Sequence, residues 1–161
     1  MDRKETSRQL HDLLLQKGYS VATAESCTAG NVSALIAATP GSSEYFRGGV
    51  VAYDARVKSS VLGVSMDVIT EKGVVSSEVA QAMAQGVARL LNTDCAIATT
   101  GVAGPGDQGE VKQGTVWTAA VCKQKTVSRL IHINGDRDAV MAEAADFAAK
   151  LLVELLEQAA E

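Results

Sequence analysis

Several residue types that often announce a function are scarce in this chain. It has two histidines, two prolines, three cysteines and 4% aromatic side chains among 161 residues. His11 falls in an amphipathic first segment and His132 inside a strand-like one, so a serine–histidine–aspartate triad has little support. Cys27, Cys95 and Cys122 are odd in number and lack C-x-x-C spacing, which argues against a disulfide framework or a zinc site. No apolar run approaches the ~20 residues needed to cross a bilayer. The opening "MDRKETSRQLHDLLLQKG" is polar and amphipathic, without the apolar centre of a signal peptide, so a cytoplasmic location is the default. A net charge of −4 offers no general attraction to nucleic acid or anionic membrane, and neither is expected as a partner. Repeats, linkers and low-complexity segments are absent as well.

What is present is an ordinary globular composition, 47% hydrophobic and 21% charged, long enough for one domain over residues 1–161 with a single core. Leu10, Leu13 and Leu14 give the first segment an apolar helical face that Lys17-Gly18 ends. "YSVATAES" reads as a strand, Thr28 to Thr39 as a helix rich in small residues, and "GGVVAYD" as a second strand. "ARVKSSVLGV" reads as a short helix, and Ser76 or Ser77 caps a longer one through "EVAQAMAQGVARLLN". "DCAIATTG" is a buried strand opening into "GVAGPGDQG"; "GTVWTAAVC" and "TVSRLIHING" form a hairpin across "KQK". The last helix spans roughly Asp136 to Gln158, with Val140, Ala144, Phe147, Leu151 and Leu155 on one face. Helices alternating with strands early and a hairpin late predict an α/β protein, a single-domain three-layer α/β/α sandwich with a mixed, parallel plus antiparallel, sheet. Ligands in such folds bind beyond the carboxyl ends of the strands, where Ser26 and Thr100 fall.

Ser26 has two readings. As a helix N-cap it is structural. As a nucleophile it needs a base and donors for an oxyanion, for which the N–H groups of Thr28, Ala29 and Gly30 are candidates. Lys58 lies in an otherwise apolar short helix. If desolvated it loses its proton near neutral pH and serves as a base; otherwise it is a solvated surface lysine. Tyr53 is placed to relay a proton or hold Lys58. Cys27 competes as nucleophile, since helix N-termini lower thiol pKa values, but without a nearby histidine it reads better as a small buried hydrophobe. The loop "TTGVAGPG" is neither a Walker A nor a G-x-G-x-x-G motif. Its exposed N–H groups suit a phosphate or carboxylate. Arg137 of "GDR" adds a cationic fork to an anion, unless the segment is only a helix start capped by Asp136. Asp107, Glu110, Asp136 and Asp138 form no metal-ligand spacing, and neither metal nor cofactor is expected.

Together, "AESCTAG", "TPGSSEYFRGGVVAYDARVKSSVLGV", "GVVSSEVAQAMAQG", "TTGVAGPG", "GTVW" and "GDR" resemble, in order, the C-terminal domain of the competence/damage-inducible CinA family over about residues 5 to 158. The resemblance does not extend to the separate N-terminal domain of full-length members. It implies a three-layer α/β/α fold, a homodimer, and hydrolysis of the carboxamide of nicotinamide mononucleotide to nicotinate mononucleotide and ammonia. It also implies Ser26 as nucleophile, Lys58 as base, Tyr53 and Thr100 as helpers, and a small-molecule nucleotide as partner. The glycine loop, with Gly101, Ala103 and Gly104, and Arg137 hold the phosphate in that scheme. Ala29 stands where the family commonly has glycine, which is expected to add a methyl group beside the nucleophile. The loop "GDQGEVKQG" lacks the family's glycine run and Lys-Pro-Val-Gly ending, and Ala139, Val140 and Met141 follow "GDR" where an arginine is common. Two rivals accompany the amidohydrolase: a catalytically weak paralogue that binds a nucleotide, and an amidase for another small amide.

Overall fold

The structure, a computed structural model, describes residues 3–158. Met1 and Asp2 of the predicted first helix, and residues 159–161 of the predicted domain, lie outside them. The elements are α1 (Arg3–Lys17), β1 (Val21–Glu25), α2 (Asn31–Ala37), a 3-10 turn (Ser42–Glu44), β2 (Phe46–Val51), α3 (Ala55–Ser60), α4 (Met66–Lys72), α5 (Ser77–Leu91), β3 (Cys95–Gly101), β4 (Thr115–Cys122), β5 (Lys125–His132) and α6 (Arg137–Gln158).

One sheet of order β2-β1-β3-β4-β5 forms the middle layer. β1 pairs parallel with β2 and β3, and β4 pairs antiparallel with β3 and β5. This is the expected three-layer α/β fold with a mixed sheet. Alternation along the strands divides the core. Val21, Cys95, Ile97 and Ala120 face α1, α2 and α6, packing on Leu10, Leu14, Leu152 and Leu155. Ala22, Ala24, Ala96, Ala98 and Ala119 face α5, against Val79, Met83 and Val87. Alanines on that face let α5 lie close to the sheet. A third cluster of Cys27, Ala103, Val116, Ile133, Val140 and Ala144 seats the start of α6 under the strand ends. Among the described residues no helix is long and apolar enough to cross a membrane.

Two departures from the sequence pattern have local causes. The helix expected from Thr28 begins only at Asn31, because Ala29 and Gly30 have φ of +46° and +106°, outside helical space. The short α4 was hidden from periodicity because, among its seven residues, Ile69 is the one buried. Ser76 caps α5 as expected, its side chain accepting from the Val79 N–H.

Candidate active site

The carboxyl ends of β1, β2 and β3 lie side by side, with Glu25 opposite Val51 and Ala24 opposite Ala98. They deliver Ser26, the Ala52–Tyr53 segment and Thr100 to the mouth of one cleft of about 630 Å³. Its walls come from Ser26, Lys58, Tyr53 and Thr100, from the glycine loop Gly101 to Gly106, and from Arg137.

Lys58 is 1% exposed, so the solvated-lysine alternative fails. Asp54 caps α3 by accepting from the Arg56 N–H, which aims Lys58, one turn on, back across the strand ends. Its Nζ donates to Ser26 Oγ at 3.0 Å, to the Ala52 carbonyl at 2.8 Å and to the Tyr53 carbonyl at 3.2 Å. All three partners are neutral. Burial therefore dominates and pushes the Lys58 pKa below the ordinary lysine value, with Cys27 and Asp54 opposing the shift at longer range.

The turn after β1 is organised by a residue the sequence reading passed over. Glu25 is 1% exposed. Its Oε1 accepts from Thr28 Oγ1 at 2.7 Å, Gly30 N at 3.1 Å and Val32 N at 2.8 Å. Its Oε2 accepts from Ser33 N at 3.0 Å and Ser33 Oγ at 2.7 Å. A carboxylate thus supplies the acceptor for the first turn of α2, and Ser26 is not the cap. The signal was there: a glutamate ending the otherwise apolar or small run "VATAE", buried at every position, must find donors. Thr99 was also missed. Its Oγ1 accepts from the Ser26 N–H at 3.3 Å and meets Thr28 Oγ1 at 2.8 Å.

Other expected residues land differently. The Thr28, Ala29 and Gly30 segment does not line the cleft. The Ala29 N–H donates to the Ser26 carbonyl and that of Gly30 to Glu25, so neither is free for an oxyanion. The Ala29 methyl group is exposed and does not crowd the nucleophile; what alanine brings at φ +46° is backbone strain. Tyr53 is not interposed between Ser26 and Lys58, which touch directly. Tyr53 is 55% exposed, and its phenol oxygen accepts from Arg137 Nη2 at 2.8 Å. Thr100 Oγ1 donates to the Val74 carbonyl at 2.8 Å, which ties the α4–α5 connection to the cleft wall.

Arg137 opens α6 at the cleft rim and also donates from Nη1 to the Gly104 carbonyl. Asp136 accepts from the Ala139 N–H at 2.9 Å, so the segment is both a capped helix start and a cation at the cleft. Gln113 braces the glycine loop, accepting from Gly106 N at 2.8 Å and donating to the Gly135 carbonyl at 3.2 Å. Gly104, at φ +95°, passes so close that a Cβ there would lie 2.3 Å from Gln113 Cδ. Cys27 touches the cleft, but burial pushes its thiol up to about 12, leaving it protonated and unreactive at neutral pH. His11 bonds Tyr45 and His132 lies by Thr115; neither lines the cleft.

The profile of the CinA C-terminal domain matches residues 3–156. A CinA-like protein of Synechocystis sp. is 47% identical over 126 residues, covering 78% of this chain and 30% of its own length. One of Citrifermentans bemidjiense is 42% identical over 140 residues, covering 86% and 34%. The chain thus spans about a third of the length of the curated relatives it matches. Among solved structures, competence damage-inducible protein A of Klebsiella pneumoniae superposes with a TM-score of 0.93 at 32% identity over 98% of both chains. A competence/damage inducible protein of Agrobacterium tumefaciens gives 0.91 at 29% over 96% of both. By sequence over nearly its whole length and by fold, the chain belongs to the CinA C-terminal domain family.

Proposed function

We propose that the protein hydrolyses the carboxamide of nicotinamide mononucleotide, releasing ammonia and nicotinate mononucleotide, with Ser26 as nucleophile and Lys58 as base. The observation that carries the proposal is the 3.0 Å contact between a buried lysine amine and the Ser26 hydroxyl. In the neutral lysine, two N–H bonds point to the Ala52 and Tyr53 carbonyls. The lone pair is then left for the Ser26 proton.

Ser26 Oγ attacks the carboxamide carbon as its proton passes to Lys58 Nζ. The oxyanion formed falls to the turn after Ser26, where the N–H of Cys27, a residue of the cleft wall, has no carbonyl or carboxylate partner. Collapse breaks the C–N bond, and Lys58 returns the proton to the departing nitrogen, so ammonia leaves and a nicotinoyl ester of Ser26 remains. Neutral Lys58 then takes a proton from water as it attacks the ester, and gives it back to Ser26. The glycine loop and Arg137 hold the phosphate at the far wall. The cleft volume of about 630 Å³ suits a mononucleotide, since small-molecule sites run ~300–1,000 Å³.

The test is ammonia release from nicotinamide mononucleotide by the purified protein, with Ser26→Ala as control. Release by the native protein and none by the variant is expected. A folded native protein that releases none, or a variant that releases as much, would end the proposal.

A further inference from the structure

Serine at a strand-to-helix turn ordinarily caps the helix, and a hydroxyl held by the helix N–H groups is poorly placed to meet a base. Here two neighbouring residues divide the work. Glu25, the last residue of β1, accepts from the Gly30, Val32 and Ser33 N–H groups. Ser26 meets Lys58 of α3. The carboxylate takes over the capping, and the serine hydroxyl is released to the cleft.

Glu25 also fixes the direction of a hydrogen-bond chain. With three amide groups already donating to it, the carboxylate is an acceptor, so the Thr28 hydroxyl donates to Oε1. In the 2.8 Å contact between Thr28 and Thr99, Thr28 is therefore the acceptor and Thr99 the donor. The lone pair of Thr99 is then left for the Ser26 N–H. Glu25, Thr28 and Thr99 are all at most 1% exposed, so water does not compete for these bonds. The chain ends on the backbone of the nucleophile, one bond from the carbon that carries its side chain.

We infer that Glu25, acting through Thr28 and Thr99, is the positioning residue that holds Ser26 against Lys58. The inference rests on the Ser26–Lys58 reading of the cleft and goes beyond it by assigning what sets the nucleophile.

The test uses the rate at which a fluorophosphonate probe labels Ser26, followed by mass spectrometry, beside kcat and KM for deamidation of nicotinamide mononucleotide. Thr99→Val keeps the shape and removes the chain; Thr99→Ser keeps the hydroxyl. Thr99→Val is expected to slow labelling about 10- to 100-fold and lower kcat by the same factor, with KM within about twofold, the scale of a small misplacement of a reacting group. Thr99→Ser restores both. Glu25→Gln, which sets an amide donor against donors, produces a similar loss, and the double variant is no worse than the slower single one because the residues share one chain. Should Glu25→Gln fail to fold, the Thr99 pair still decides. Labelling of Thr99→Val at the native rate would overturn the inference. A native protein that labels at Ser26 yet releases no ammonia would remove the substrate and leave positioning to be judged by the labelling rates. Absence of labelling in the folded native protein would overturn both readings.

Discussion

The sheet carries a notable lysine at each end, and the surroundings shift the two in opposite directions. At the amino end of β3, Lys123 is half exposed, 2.8 Å from Asp94, and lies over the Tyr19 ring. The hydrogen bond to that carboxylate raises its pKa. At the carboxyl end Lys58 is buried against two carbonyls and a hydroxyl, and burial lowers its pKa. The residue type is the same; the solvent and partner differ. A counter-ion favours the protonated amine, whereas desolvation without one disfavours it. The end of the fold proposed for proton chemistry is thus the one that lacks a carboxylate touching its lysine.

Exchanging the lysines' roles by mutation gives the largest contrast. Lys58→Met should lower deamidation on the order of 10³-fold, the scale of a lost general base. Lys58→Arg should fare no better, because a guanidinium stays protonated. Lys123→Met should leave turnover unchanged and barely move the thermal midpoint, since exposed ion pairs are weak and screened. Steady-state rates with calorimetry check all three, and a loss in Lys123→Met would break the comparison.

A pH profile sharpens it. The mechanism uses neutral Lys58, and the folded protein lowers its pKa, so kcat/KM should rise with pH and level off above that lowered value. Protonation on the acid side removes the base. Lys123, shifted the opposite way, should contribute no inflection. Activity that instead fell as pH rose through the same limb would make Lys58 a charged donor and not a base.

The thiols show no such contrast, since burial raises the pKa of Cys27 and of Cys95 alike. Cys27 sits at the cleft and Cys95 faces Cys122 at the amino end; all three are buried. Cys27→Ala should keep turnover within about threefold, the range of a packing change beside a site, and the native protein should resist iodoacetamide at neutral pH. Loss of turnover on this change would move the nucleophile from Ser26 to Cys27.

The smallest effect concerns backbone strain. Ala29 at the carboxyl end and Asn92 and Lys123 at the amino end are the described non-glycine residues with positive φ. Asparagine tolerates that region and alanine does not. Ala29→Gly should therefore add about 1 kcal/mol of stability, with turnover unchanged because the methyl group is exposed; Asn92→Gly should add less. Chemical denaturation of both variants measures the difference. A rise in turnover on Ala29→Gly would restore the idea that the methyl group crowds the site.

Much of this arrangement was legible in the sequence. Alternating buried strands and an amphipathic α5 placed the layers, and the strand-to-helix junctions marked Ser26 and Thr100 as cleft residues. Lys58 could be named as a candidate base because it is a cation in an apolar helix. Its desolvation could not be read, since its amine is buried where the segment after β2 meets Ser26, 32 residues away in the chain. Tyr53 and Arg137, 84 residues apart, met for the same reason. Glu25 escaped because Ser26 is itself a good cap, and local propensity offers no way to see that a neighbouring carboxylate reaches five donors first.

The sequence alone places most of the helices and strands, because hydrophobic period and capping residues act over a few positions. It determined the stock of reactive groups as well: few histidines, odd cysteines, and a serine and a lysine at strand ends. Which of these groups is desolvated, which is free and which is occupied follows from the folded arrangement instead. Those properties depend on water excluded and donors supplied by residues remote in the chain, and no local pattern encodes them.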